Sequence, residues 1–321
     1  MSAGRQKVLV TGASGFIGGF LVQRLIEKGY DVFGLERYVT GRYVMGAQRS
    51  ITTFFADLRD YHAVRGVVRD VQPDKVVHLA ALSAVSYSYE HPQDVAEVNF
   101  LGTLNLAEAC LREVGHLNHF LFAGTSEEYG NNGANPQFED SPLCPNSPYS
   151  VSKVAADRYL MYMREAYHFP ATVLRPFNTF GRKDNFHFVV ERIIHQALTG
   201  NEIRLGDPTP VRDFLYVSDH VNAYLTCLEN REKSIGQVFN FCTGKGVTIR
   251  ELVETITKLT KFKGKVVWDT IPRRPLDIQH LVGDASKAAK VLGWKPSFTL
   301  EEGLRKTVGD LRKLVQNQRA A

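Results

Sequence analysis

The chain has 321 residues, 44% hydrophobic and 23% charged, with a formal net charge of +5. That is enough apolar sequence to bury a large core as one or two domains. The mild positive balance forms no lysine-rich tail or stripe, which argues against nucleic-acid binding and suits an anionic small substrate. No apolar run is long enough to span a membrane, and no leader peptide, repeat or low-complexity segment stands out. Four cysteines (Cys110, Cys144, Cys227, Cys242) are spaced too widely for a metal or redox motif. The expectation is a soluble cytoplasmic chain without a metal, a membrane or a nucleic-acid partner.

Lys7 to Thr11 reads as a short apolar strand, followed by Gly12-Ala13-Ser14-Gly15-Phe16-Ile17-Gly18 and a helical stretch from Phe20 to Lys28. Strand, glycine turn and helix is the arrangement that receives a dinucleotide pyrophosphate. Gly12 permits the tight turn, Gly15 lets backbone approach the phosphates, and Gly18 lets helix pack on strand. Ser14, Phe16 and Ile17 lie in the same turn, and the helix N-terminus adds N–H groups and positive potential. A second strand, Asp31 to Leu35, ends at Glu36-Arg37, 18 residues beyond Gly18, near the spacing for a carboxylate on the adenosine ribose. Glu36 would bond the 2′-hydroxyl and Arg37 would attract a 2′-phosphate. The acid at the strand end is the more direct contact, so NAD is expected, with NADP possible. Ile51 to Phe55 is a third strand, placing Asp57 and Leu58 where a side chain meets adenine. Lys75 to Ala80 is a fourth, and the small residues around Leu79, Ala80 and Ala81 suit close approach to a cofactor. His119 to Ala123 and Ala171 to Leu174 continue the alternation of strands and helices, the pattern of a parallel, doubly wound α/β sheet buried on both faces.

Between those last two strands lies Ser147-Pro148-Tyr149-Ser150-Val151-Ser152-Lys153. Four residues apart on a helix, Tyr149 and Lys153 share a face. A cation there lowers the tyrosine pKa, so the phenolate can take a proton from a hydroxyl while hydride leaves the adjacent carbon. After residue 175 the character changes, with the punctuation Arg175-Pro176-Phe177-Asn178-Thr179-Phe180-Gly181. Helices are expected over Phe188 to Thr199, Ser218 to Leu228, and near Thr248 to Thr260 and Leu300 to Val315. The strand Gln237 to Phe241 should return to the main sheet. The expected division is a Rossmann-type domain over 1–175, completed by about 214–245, and a smaller discontinuous substrate domain from 176–213 and 246–321. Arg192, Arg212 and Arg274 could converge bidentately on a diphosphate.

Gly12 to Gly18, Asp57-Leu58, Leu79-Ala80-Ala81, Asn99 and Tyr149-x-x-x-Lys153 together resemble the extended short-chain dehydrogenase/reductase family. Arg212-Asp213-Phe214 and Gly293-Trp294-Lys295-Pro296 look like its nucleotide-sugar epimerase/dehydratase branch. The resemblance runs from Lys7 to about Val315. It implies a Rossmann fold, a nicotinamide cofactor and a nucleotide-diphosphate sugar as substrate. It implies a homodimer through a four-helix interface, here Pro92 to Val114 and Tyr149 to Ala166. It also implies Asn99 near the cofactor, Lys153 on the nicotinamide ribose, and Ser83, Ser126, Asn178 and Val190 among the residues around the sugar nucleotide.

The segment Ala123-Gly124-Thr125-Ser126-Glu127-Glu128-Tyr129-Gly130 follows a strand and should project over the cofactor. By the resemblance, Thr125 is the hydroxyl residue beside the catalytic tyrosine. Glu127 matches the active-site glutamate of the GDP-mannose 4,6-dehydratases, while simple 4-epimerases lack an acid there. UDP-glucuronate decarboxylases share Thr-Ser-Glu, and the 4-keto-6-deoxyhexose reductases have a similar Ser-Ser-Glu-Glu-Tyr-Gly. The expectation is therefore a nucleotide-hexose 4,6-dehydratase, with the reductase, the 4-epimerase, the decarboxylase and a non-catalytic cofactor-binding scaffold as alternatives. Glu128 is expected to be a structural acid. The short, arginine-poor segment Phe180 to Asn185 leaves the nucleotide base open.

Overall fold

The computed structural model describes residues 5–38, 51–181 and 185–320; of the segment Phe180 to Asn185, residues 182–184 lie outside it. Along the chain, β1 (Lys7–Thr11), α1 (Phe16–Glu27), β2 (Asp31–Glu36), β3 (Thr52–Phe55), α2 (Tyr61–Val71) and β4 (Lys75–His78) come first. Then follow α3 (Val85–Glu90), α4 (Pro92–Ala96), α5 (Gly102–Glu113), β5 (His119–Ala123), α6 (Pro148–Tyr167), β6 (Ala171–Pro176) and β7 (Asn178–Phe180). Next are α7 (Val189–Thr199), β8 (Glu202–Arg204), β9 (Val211–Tyr216), α8 (Val217–Glu229), α9 (Arg231–Ser234), β10 (Val238–Phe241) and β11 (Gly246–Thr248). The chain ends with α10 (Ile249–Thr260), β12 (Lys265–Val267), β13 (His280–Leu281), α11 (Ser286–Leu292) and α12 (Leu300–Ala320).

Seven strands form one parallel sheet in the order β10-β6-β5-β4-β1-β2-β3. Their apolar residues are continuous because both faces are covered. Strand periodicity sends alternate side chains to opposite faces. Val8, Val10, Val77 and Leu121 meet Leu21 and Leu25 of α1 and Tyr224 and Leu228 of α8. Leu9, Val76, Phe120 and Phe122 meet Val64 and Val68 of α2, Leu106 of α5 and Leu160 of α6. The strand anticipated from Gln237 does return to this sheet, as β10 beside β6. Strand order reverses at β1, which pairs with β2 on one side and β4 on the other. The carboxyl ends of the strands open there into the crevice where such sheets bind ligands.

The remaining strands form two small sheets, β11-β9-β13 with β7 also on β9, and β12-β8. With α7, α10 and α12 they enclose a separate core around Phe180, Ile193, Phe214, Leu252 and Leu304.

Two local expectations change. The first helix starts at Phe16 rather than Phe20, inside the glycine turn. The run from Pro92 to Val114 is not one α-helix: a π-helical turn, Glu97–Leu101, separates α4 from α5. That turn carries Asn99 inward, where its amide nitrogen donates to the Leu82 carbonyl (3.2 Å) and Ser152 Oγ (3.1 Å), and its oxygen accepts from the Leu82 N–H (2.8 Å). One extra residue in the turn aims the side chain there.

Candidate active site

The crevice begins with a backbone cradle. Gly12 adopts φ +69°, and a Cβ on it would lie 3.0 Å from Ala80 backbone atoms. A Cβ on Gly18 would lie 2.1 Å from the Gly12 carbonyl oxygen. The loop after β4 is pinned across the end of β1, since the Leu79 and Ala80 N–H groups both reach Thr11 Oγ1 (3.2 and 3.1 Å). That fold-back ends the strand at His78. No side chain caps the start of α1, so its positive end faces the cleft.

The cleft has a volume of about 380 Å³. From the sequence-derived set, the glycine turn contributes Gly12, Gly15, Phe16, Ile17 and Gly18 to its wall. Leu79, Ala80, Ala81 and Ser83 enter from the loop after β4, and Thr125, Ser126 and Glu127 from the loop after β5. Tyr149 and Lys153 come from α6, with Asn178 and Val190 from β7 and α7. Residues from six segments thus surround one cavity.

Other anticipated residues lie outside that wall. Glu36, buried at the end of β2, accepts a short hydrogen bond from the Ser14 N–H, and burial raises its pKa in spite of that bond. Arg37 is exposed; it donates to the Tyr38 hydroxyl (2.9 Å) and packs 4.7 Å from that ring. Asp57 pairs with Arg59 at 2.7 Å, which lowers its carboxyl pKa. Leu58 packs in the core beside α2 and α5, and Asn99 braces Leu82 as described above.

Local sequence explains how α6 presents its pair. Ser147 Oγ accepts from the Ser150 N–H (3.1 Å) and Ser150 Oγ accepts from the Ser147 N–H (3.0 Å), with Pro148 in the first turn. Reciprocal capping of this kind fixes a helix start, here immediately before Tyr149. Lys153 is 3% exposed. Its Nζ donates to the Ala123 carbonyl at 2.8 Å and stands 4.7 Å above the Phe122 ring. Burial depresses its pKa to about 8. Tyr149, 8% exposed, is on the same helix face.

The two adjacent glutamates part company. Glu128 is fully buried; it accepts from the Thr125 N–H (2.9 Å) and from Arg175 Nε (3.0 Å). Arg175 also donates to Asp157 Oδ2 (2.7 Å) and the Tyr129 hydroxyl (3.1 Å). Desolvation, together with Asp157 nearby, raises the Glu128 pKa. Glu128 is thus the structural acid expected of it, and it fixes the backbone that presents Thr125 and Glu127. Glu127 faces the cleft, and burial raises its carboxyl pKa against the pull of Arg212 and Arg274. Arg212 approaches Asp277 at 3.8 Å. Arg192 holds the Phe186 carbonyl (3.0 Å), and the Arg274 charge adds to burial in lowering its pKa. The three arginines therefore share a region with Glu127 without lining the cavity.

Sequence reasoning missed the Glu128–Arg175–Asp157 cluster, whose members lie in three distant segments. It also missed Tyr89, whose hydroxyl lies 3.1 Å from the Pro275 carbonyl beside Arg274. No local pattern marks either. A phenol, a buried ammonium and a desolvated carboxyl around one cleft suit proton transfer coupled to oxidation at a carbinol.

A family model described as GDP-mannose 4,6 dehydratase matches residues 9–307. The UDP-glucose 4-epimerase of Mycolicibacterium smegmatis is 34% identical over 319 residues, covering 97% of this chain and 100% of that protein. The GDP-mannose 4,6-dehydratase of Yersinia enterocolitica is 32% identical over 358 residues, covering 97% and 95%. The structure of UDP-glucose 4-epimerase with UDP-glucose from Thermotoga maritima superimposes with a TM-score of 0.90 at 33% identity, covering 97% of this chain and 100% of that one. The UDP-glucose 4-epimerase complex with NAD from Thermus thermophilus gives 0.87 at 33% identity, covering 96% and 99%. The chain belongs to the extended short-chain dehydrogenase/reductase family, in its nucleotide-sugar epimerase/dehydratase branch.

Proposed function

We propose that the protein is an NAD-dependent nucleotide-hexose 4,6-dehydratase. The observation that carries this reading is Glu127, a desolvated carboxyl on the wall of the cleft that also holds Thr125, Tyr149 and Lys153. The backbone cradle at Gly12 and Gly18, which a single Cβ would fill, fits a pyrophosphate. Glu36 beside Ser14 fits a ribose 2′-hydroxyl better than a 2′-phosphate, and the NAD held by the Thermus relative supports that choice. The cofactor supplies a hydride acceptor for carbon 4 of the sugar and a hydride donor for carbon 6. Tyr149 takes the proton from the carbon 4 hydroxyl, and Lys153 favours the phenolate by its charge. The ketone at carbon 4 acidifies the hydrogen on carbon 5. Glu127 removes that proton and passes it to the carbon 6 hydroxyl, which departs as water; hydride then adds at carbon 6 while the proton held by Tyr149 is delivered to carbon 5. The raised carboxyl pKa suits such a group, which accepts a proton and then donates it. Arg192, Arg212 and Arg274 hold the diphosphate.

The second reading is a nucleotide-sugar 4-epimerase, favoured by the Mycolicibacterium and Thermotoga relatives. Incubation with GDP-mannose, UDP-glucose and dTDP-glucose followed by mass spectrometry separates the two. The expected product has lost one water; an isomer of unchanged mass establishes the epimerase instead. We also propose pairing of two copies through α5, α6 and the turn between α4 and α5, a face that leaves Leu101, Val151 and Tyr162 about half exposed. Sedimentation as a monomer at micromolar concentration would refute that pairing.

A further inference from the structure

α8 packs against α1 below the glycine turn and carries Tyr224, whose side chain is fully buried among Val10, Ala13 and Leu21. Its hydroxyl makes no hydrogen bond with any described residue. A buried hydroxyl without a partner is destabilising and uncommon in folded proteins. The same side chain borders the cleft that holds Tyr149 and Lys153. The ring is held in place by stacking on His220 at 5.3 Å, and His220 is in turn fixed by Thr179 Oγ1 at 2.9 Å. The side chain is therefore held in place, with its buried hydroxyl at the wall of the cleft.

The orientation of a dinucleotide in this cleft follows from the residues already placed, and this step rests on the reading that NAD binds. Glu36 lies at the adenosine end and Tyr149 with Lys153 at the nicotinamide end. Tyr224 borders the cleft on the side of α1 and lies near enough to Tyr149 for the two phenols to interact electrostatically, which puts it at the nicotinamide end. A polar group on that side meets the cofactor rather than the sugar. The carboxamide is the polar substituent of the nicotinamide ring and offers both a donor and an acceptor. We propose that Tyr224 is a further cofactor-binding residue, its hydroxyl hydrogen-bonding the nicotinamide carboxamide and so fixing which face of the ring meets the sugar.

The test compares parent and Tyr224→Phe without any sugar present. NADH is titrated by its fluorescence and ADP-ribose, which lacks nicotinamide, by calorimetry. The substitution should weaken NADH about tenfold, the scale of one hydrogen bond, and leave ADP-ribose unchanged. The ligand-free variant should melt no lower than the parent, because an unsatisfied hydroxyl is removed. The unmutated protein gives a second measurement: it should bind 3-acetylpyridine adenine dinucleotide, whose ring keeps the carbonyl but lacks the amide N–H, less tightly than NAD. Equal losses for NADH and ADP-ribose, or no loss for either, would overturn the proposal and leave the hydroxyl to a buried water. A parent that binds ADP-ribose but not NADH would overturn the NAD reading and this inference together, whereas a parent that binds NADH as tightly as Tyr224→Phe does would overturn the inference alone.

Discussion

The two sides of the cleft are built from different material. On the side of the large sheet the contacts are backbone and small residues: the glycine turn, Leu79 to Ala81, and a helix start set by two serines. On the side of the small sheets the wall is mostly apolar, with Phe180, Phe188, Val190 and Phe214, and long charged side chains from distant segments stand beyond it: Arg192 on α7, Arg212 on β9, and Arg274 with Asp277 in the loop before β13. A cradle of close-packed backbone can hold an invariant pyrophosphate but has little latitude for change. Arg274, in a loop at the rim, can be exchanged without disturbing a core, because loops run over the surface and tolerate substitution. Relatives at similar identity that differ in reaction and substrate, an epimerase at 34% and a dehydratase at 32%, fit that division.

Substitutions on the two sides should fail in different ways. Tyr149→Phe should give the largest effect, a loss of turnover of ~10²–10⁴-fold, the range for a positioned acid–base group. NADH affinity should change little; turnover within tenfold of the parent would remove Tyr149 from the reaction. Glu127→Gln should stall elimination by ~10²-fold while oxidation at carbon 4 continues. Reduced cofactor should then accumulate in the near ultraviolet, and deuterium exchange at carbon 5 should vanish. In the parent, elimination should fall as pH drops through the raised pKa of Glu127, since only the ionised carboxylate accepts the carbon 5 proton. Unchanged dehydration by Glu127→Gln would assign the base elsewhere. Arg274→Ala should have the smallest effect: roughly a tenfold rise in KM, the scale of one charge-assisted contact, with kcat nearly unchanged and cofactor affinity intact. A fall in kcat instead would place Arg274 in the chemical step and blur the contrast between the two sides.

Much of the large-sheet side was legible in the chain. The apolar runs at Lys7, Lys75, His119 and Ala171 gave strands because short runs between helical stretches are the pattern of a buried parallel sheet. The glycine turn and the Tyr149–Lys153 spacing work through local geometry, so each could be read along the chain, and the family resemblance tied them to one cleft. The expectation for Asn99 was less complete: the resemblance implied a helix from Pro92 to Val114 but not the π-helical turn, which depends on where Leu82 and Ser152 lie.

Adjacent residues of like chemistry needed the fold to tell them apart. Glu127 and Glu128 are indistinguishable by composition, and only the positions of Arg175 on β6 and Asp157 on α6 make one an anchor and leave the other in the cleft. The same holds for Tyr224, an ordinary position on an apolar helix face until α1 and the cleft close around its hydroxyl. The sequence by itself determined the main elements, the parallel, doubly wound sheet they build and the residues that act through neighbours a few positions away. The tertiary structure alone decided which buried charges compensate one another and which polar atoms are left facing the cleft, because those energies depend on distances between segments far apart in the chain.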